Sequence, residues 1–151
     1  MADGKDARPT FDSYDERVAD GLVQAHEKGE GLPGYLDIRL TETWPGGMRA
    51  EVAVRDDLLN PFGNLHGGVL AALCDHVLGT VCYPVIPPGA WAATTEFKLN
   101  YLAPVTEGTL SASSQIVSLT KRTAVVRIEV TNGERAVCMA QGTVLIVAPK
   151  A

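Results

Sequence analysis

At 151 residues the chain has the length of one ordinary domain, with no room for a separate cofactor domain. Apolar residues make up 46% of it and charged residues 21%, a balance that fits a globular domain with one core rather than a disordered chain or a membrane protein. Thirteen Lys and Arg against eighteen Asp and Glu give a formal charge of -5, which argues against a broad nucleic-acid surface and leaves any anionic ligand to local positive groups.

Residues 1–11 mix Gly, Pro and charge without periodicity and read as a mobile leader. They contain no apolar run, so no secretory signal is expected and the protein reads as cytoplasmic. Residues 12–32 read as an N-terminal helical segment: Tyr14, Val18, Leu22 and Ala25 recur at helical spacing from Asp12 or Ser13 to Lys28, and Gly29 and Gly31 end the pattern. From Tyr35 to Trp44, Leu36, Ile38 and Leu40 alternate with Asp37, Arg39 and Thr41. Pro45-Gly46-Gly47 then makes a turn, and Met48, Ala50, Val52 and Val54 alternate again, which predicts a β-hairpin.

A loop over residues 56–65 leads to a helix predicted from Gly67 to about Tyr83, stopped by Pro84 and Pro87-Pro88-Gly89. Its apolar stretch from Val69 to Val85 is interrupted by Asp75 and His76 and reads as too polar for a bilayer span. Four β-type runs follow, Trp91 to Leu102, Thr109 to Leu119, Thr123 to Thr131 and Ala136 to Val147. They are separated by Pro104 with Gly108, by Lys121-Arg122, and by Asn132-Gly133, a two-residue hairpin signal. Helix, two strands, helix and four strands in that order predict an α+β fold, one antiparallel sheet with a helix against it. The three cysteines, Cys74, Cys82 and Cys138, show neither C-x-x-C spacing nor a completing His pair, so neither a disulfide framework nor a metal site is expected.

The central helix carries the chemistry. At about 100° per residue, one side presents Val69, Leu70, Leu73, Val77 and Val81 to a core, and the opposite side presents Gly68, Ala71, Ala72, Asp75, Gly79 and Cys82. A carboxylate among small residues, with no Lys or Glu beside it, fits a confined place better than a solvated rim. At the start of the helix, His66-Gly67-Gly68 can turn free backbone N–H groups toward an oxyanion or a phosphate. A tight turn would use the same glycines, so the triplet alone decides nothing. Asp75 lies eight residues beyond Gly67, about 12 Å along the helix, too far for both to reach one carbonyl within a chain. Two copies with these faces antiparallel would bring Asp75 of one toward the Gly67 amide of the other.

The run Asn60-Pro61-Phe62-Gly63-Asn64-Leu65-His66-Gly67-Gly68, followed by Ala72-Leu73-Cys74-Asp75 and Gly79, resembles the signature of the hotdog-fold acyl-CoA thioesterases of the phenylacetate-pathway (PaaI-like) type. The likeness extends over residues 33–148, including Glu96 to Pro104 and Ala140-Gln141-Gly142-Thr143. It implies a hotdog domain over 33–148, an antiparallel sheet wrapped around a long central helix, paired into homodimers and often homotetramers with sites at the dimer interface. It also implies an acyl-CoA substrate, while charge and composition point to no nucleic-acid or membrane partner and the chemistry needs no bound cofactor. By position it makes Asp75 the nucleophile or general base and the Gly67 amide the group that polarises the thioester carbonyl. Asn60 and His66 place the carbonyl or water, and Thr94 falls where the family carries a Ser or Thr near the acid, although a shift of one residue would exchange it with Thr95 across the strand.

Thioester hydrolysis needs an oxyanion donor and either a base for water or a carboxylate that attacks directly. A serine-hydrolase elbow, G-x-S-x-G, is absent. Gly68 at the helix start, Lys121 and Arg122 in their turn, and Lys98 behind them are the candidates for holding a CoA ligand. For Lys121 and Arg122 a solubilising hairpin tip is an equal alternative. Leu59, Phe62, Tyr83 and Trp91 are neighbours for an acyl group, with no choice among them. His76 points about 100° away from Asp75 and reads as structural or interfacial, and His26 reads as exposed. Two other readings stand beside hydrolysis: a hotdog hydratase or dehydratase, from the loose likeness of Asp57, Asn60, Pro61 and His66 to a D-x-N-P-x-H motif, and a non-catalytic acyl-CoA-binding hotdog protein.

Overall fold

The structure is a computed structural model that describes residue 11 and residues 13–149. The expected leader, apart from its last residue, and the helix start at Asp12 lie outside the described residues. Helix α1 runs over Glu16–Glu27, later than the start expected at Ser13. Asp15 sets the boundary, because its Oδ1 accepts from the N–H groups of Arg17 at 2.9 Å and Val18 at 3.3 Å. Gly29, at φ +66, ends the turn beyond the helix as expected.

Gly31 does not end this helix but opens a second one, α2 (Gly31–Tyr35), where the sequence reading has the onset of a strand. Pro33 sits within its first turn, where a missing N–H costs nothing. Gly34 is needed because a Cβ there would stand 2.0 Å from the backbone of Gly29. Asp37, at φ +53, then turns the chain so that strand β1 begins only at Arg39 (Arg39–Trp44).

The hairpin to β2 (Gly47–Ala53) turns through Pro45 and Gly46, the latter at φ +75. Helix α3 (Gly67–Thr80) is shorter than predicted, since the chain leaves it before Pro84 and passes through a single 3-10 turn, Tyr83–Val85. Strands β3 (Trp91–Tyr101), β4 (Thr109–Leu119), β5 (Thr123–Asn132) and β6 (Arg135–Val147) follow within two residues of expectation. The β5–β6 turn falls one residue later than Asn132-Gly133. Asn132 pairs with Arg135, and Gly133, at φ +61, takes the first central position.

All pairings are antiparallel, in the order β1-β2-β4-β5-β6-β3. The sheet wraps α3, whose Leu73, Cys74, Val77 and Leu78 are completely buried together with Ile128, Val130 and Val144 of the strands. This is a hotdog arrangement with an added N-terminal helix. The core face of α3 is as predicted, but Cys82 is a correction: it is fully buried, because the helix has ended and no longer carries it on the small-residue face. The stretch Gly67–Val85 has a mean hydropathy of 1.4, apolar enough to cross a membrane by composition, contrary to the sequence reading. Its apolar side chains serve the core, with 61% of the stretch buried in the fold. The three cysteines are free and buried.

His26 is not the exposed residue expected. Its Nδ1 donates to the Leu22 carbonyl at 2.6 Å, which turns Nε2 toward Nε2 of His76 on α3 at 2.5 Å. One proton between the two rings satisfies this contact, and a second sets like charges against each other. Burial, with His26 next in importance, pushes the pKa of His76 down to about 4, against a weaker upward pull from Asp75. The unfolded chain binds that proton near pH 6.5, so stability falls as the pH drops from about 6.5 to 4, by up to about 3 kcal/mol. Calorimetry of His76→Phe across this range is expected to show a flatter dependence of Tm on pH than the wild type; an unchanged slope would contradict the assignment.

Candidate active site

Two fixed points set β3 beside α3 in opposite directions. The Tyr101 hydroxyl donates to the Gly67 carbonyl at 3.0 Å, and Gly79 faces the Ala92 carbonyl, which an added Cβ would meet at 3.8 Å. Asp75 on α3 and Thr94 on β3 both fall between these points. The sheet leaves one face of α3 uncovered, where Gly68 and Asp75 are exposed and Ala71, Ala72 and Gly79 are half-buried. No described residue donates a hydrogen bond to the Asp75 carboxylate.

His66 is the N-cap of α3: its Nδ1 accepts from the Gly68 N–H at 2.8 Å, so that ring nitrogen is unprotonated. The Gly68 amide is thereby committed. The Gly67 N–H, at the first helical position, has no acceptor among the described residues and lies at the positive end of the helix dipole. The two adjacent glycines thus differ, one closing the cap and the other remaining open for a ligand.

Asn60 holds the loop that delivers this terminus. Its Oδ1 accepts from the N–H groups of Phe62 at 2.9 Å and Asn64 at 3.2 Å, and its own N–H donates to the Asn64 carbonyl at 2.6 Å. The carboxamide oxygen is therefore used within the loop, which leaves its NH2 group to meet a ligand. The Leu65 and His66 amides continue the anchoring, donating to Val105 and Leu58 at 2.7 and 2.9 Å.

The Thr94/Thr95 ambiguity has a structural counterpart. The β3–β6 register shifts between Thr94 and Glu96, and the Thr95 hydroxyl donates to the Thr143 carbonyl at 3.0 Å. Thr94 keeps its ladder partner, Val144, and shares its face with Ala92, which packs on the core.

Of the CoA candidates, Gly68 lies at the helix start with its amide taken by His66, whereas Lys98, Lys121 and Arg122 lie apart from these residues within one protomer. Lys98 alternates with core-packed Phe97 and Leu99, so it stands on the outer face of the sheet, in a groove with Arg127 and Gln141. Lys121 and Arg122 edge another groove, of about 510 Å³, with Pro87, Ala90, Leu145 and Val147, beyond the C-terminal end of α3. Nearer the helix start, a cavity of about 370 Å³ opens beside His66 and Gly68, lined by Leu59, Val69 and Ala72 and walled by α2. Of the acyl neighbours named from sequence, Leu59 lines this cavity. Phe62 is 87% exposed at the loop tip, and Tyr83 and Trp91 belong to the other end of α3. The wall that α2 contributes is what sequence reasoning missed.

Asp57 also lines the cavity, with its carboxylate bound to Arg55 at 3.0 and 3.2 Å and to the Tyr35 hydroxyl at 3.3 Å. The hydrogen bond from the Arg55 guanidinium holds its pKa below the ordinary carboxylate value. Among the described residues no cluster of three or more His, Cys, Asp or Glu is placed to hold a metal.

The sequence pattern of the thioesterase superfamily matches residues 62–139 of this chain. The 1,4-dihydroxy-2-naphthoyl-CoA hydrolase of Listeria monocytogenes is 26% identical over 117 residues, 77% of this chain and 95% of that protein. Acyl-coenzyme A thioesterase 13 of Homo sapiens is 26% identical over 123 residues, 80% of this chain and 87% of that protein. Among solved structures, the E. coli PaaI protein from the phenylacetic acid degradation operon superposes with a TM-score of 0.79 at 23% identity, covering 89% of this chain and 96% of that one.

Proposed function

The chain belongs to the thioesterase superfamily, and from that premise we propose that it hydrolyses an acyl-CoA thioester to the free acid and CoA in a site shared by two copies of itself. The observation that carries this reading is an uncommitted Gly67 amide at the start of α3, one residue from the apolar cavity that His66 and Gly68 line, together with Asp75 on the uncovered face of the same helix, a carboxylate with no partner among the described residues. The thioester carbonyl accepts from the Gly67 N–H, so the charge that develops on its oxygen meets a fixed dipole. Asp75 of the second copy attacks the carbonyl carbon directly or takes a proton from the attacking water. Collapse of the tetrahedral adduct then expels CoA as its thiolate, and in the direct route water next cleaves the acyl–Asp75 anhydride to release the acid and restore the carboxylate. The free NH2 group of Asn60 and the capping His66 fix the approach of the carbonyl, and Thr94 is assigned as the hydroxyl that acts with the acid.

The need for a second copy is supported by β3. This eleven-residue strand ends the sheet, and its backbone groups on the outer side have no partner strand among the described residues. Pairing two β3 edges about a twofold axis sets the two α3 helices antiparallel and brings Asp75 toward the partner's oxyanion donor. It also carries the Lys121–Arg122 groove, beyond the C-terminal end of α3, toward the opposite site, which suits the CoA phosphates. Assembly of such dimers into tetramers and a cytoplasmic location complete the proposal.

The hydratase alternative has less support, because Asp57 is held ionised by Arg55 and is poorly suited to give up a proton. The deciding experiment follows free-thiol release from aryl, short, medium and long acyl-CoAs alongside an enoyl-CoA hydration assay. Hydration without thiol release would overturn the proposal. Reversing charge at Lys121 and Arg122 together is expected to raise KM for acyl-CoA about tenfold, with no change for the same acyl group on N-acetylcysteamine. Equal effects on both substrates would remove these residues from the CoA site.

A further inference from the structure

Resting on the thioesterase reading above, we propose that α2 is the end wall of the acyl site and that Leu32, backed by Tyr35, limits the length of the acyl chain accepted. The cavity of about 370 Å³ runs from His66 and Gly68, at the oxyanion end, over Val69 and Ala72 to Leu32 and Tyr35. With its carbonyl at the Gly67 amide, one residue from Gly68, a thioester that lays its acyl chain in this cavity runs along apolar walls toward α2. Leu32 and Tyr35 are each 60% exposed, large apolar groups on a short helix that turns them toward this space.

The wall is braced from behind. Arg55 donates to the Tyr35 carbonyl at 3.0 Å and to the Leu36 carbonyl at 3.5 Å, and its guanidinium lies 5.8 Å from the centre of the Tyr35 ring. Asp57 ties Arg55 and the Tyr35 hydroxyl together, and Gly34 lets α2 sit against the Gly29 backbone. A wall fixed at both ends acts as a ruler, and one methylene too many in an apolar pocket costs roughly tenfold or more in specificity.

The test measures kcat/KM of the full-length protein for straight-chain acyl-CoAs from acetyl to palmitoyl, in the wild type, Leu32→Ala and Leu32→Trp, with oligomer mass followed by light scattering. Leu32→Ala is expected to raise the ratio of long-chain to short-chain kcat/KM by at least about tenfold, and Leu32→Trp to lower it by a similar factor. Ratios unchanged in both variants, or equal losses at every chain length, overturn the assignment. So does a change of oligomer mass with unchanged selectivity, which would give Leu32 to a contact with a second copy. Failure of the wild type to release CoA from any member of the series defeats the thioesterase reading itself, whereas hydrolysis with an indifferent Leu32 defeats only the ruler.

Discussion

Asp75→Asn is expected to lower kcat by at least about a hundredfold, the loss that accompanies removal of a principal catalytic group. The side chain keeps its shape and hydrogen-bonding capacity but can neither attack a carbonyl nor take a proton. Asp75 is exposed on the protomer and packs against none of the buried core, so the substitution should leave stability within about 0.5 kcal/mol of the wild type. KM should change little, because the carboxylate acts on the transition state more than on the bound substrate. Thiol-release kinetics with parallel light scattering check both halves of the expectation, and turnover near that of the wild type would refute the role.

The second large effect isolates a backbone group. Gly67→Pro deletes the single N–H assigned to the oxyanion, at the first helical position, where proline is well accommodated. His66, at φ -65 and ψ 131, already has the extended conformation required before proline. The nearest atoms to an added Cβ are the Tyr101 hydroxyl at 3.0 Å and its ring carbons at 3.1 and 3.2 Å, so the ring must give by a few tenths of an ångström. The expected result is a loss of about a hundredfold to a thousandfold in kcat with α3 intact by circular dichroism.

Mixing then tests the shared site. Each homodimer of Asp75→Ala or Gly67→Pro lacks one component at both sites, but a mixed dimer joins the surviving Asp75 of one copy to the surviving Gly67 amide of the other. Random re-pairing makes half the dimers mixed, each with one complete site of two, so about a quarter of wild-type activity should return. A mixture as inactive as its parents would place both groups in a single chain's site.

The central helix and four of the strands were legible because one period dominates each. Val69, Leu70, Leu73 and Val77 repeat as a helix must, and Leu110, Ala112, Ser114 and Ile116 alternate into the core as a strand must. Helix α2 was illegible for the opposite reason. Gly31, Pro33 and Gly34 are breakers by propensity, and only their places decide otherwise: Pro33 in a first turn, Gly34 against Gly29.

Tertiary partners separate the parts of the site that could be read from those that could not. His66, Gly67 and Asp75 sit on one helix with spacing that speaks for itself. The meeting of His26 with His76 spans fifty residues, and the cavity joins α2 to the start of α3. No local pattern encodes either. The sequence resemblance to a thioesterase family also supplied what physics alone did not, since Asn60 in a turn is otherwise unremarked.

The unpaired edge of β3 has a consequence for how such a chain behaves on dilution. Eleven residues without proline, carrying only Glu96 and Lys98 as charges, form a template on which any extended segment can add. In the proposed pairing, a twofold mate that covers this edge and completes the hydrolytic site would make solubility and turnover depend on the same contact, so dilution past its dissociation constant is expected to lower both together.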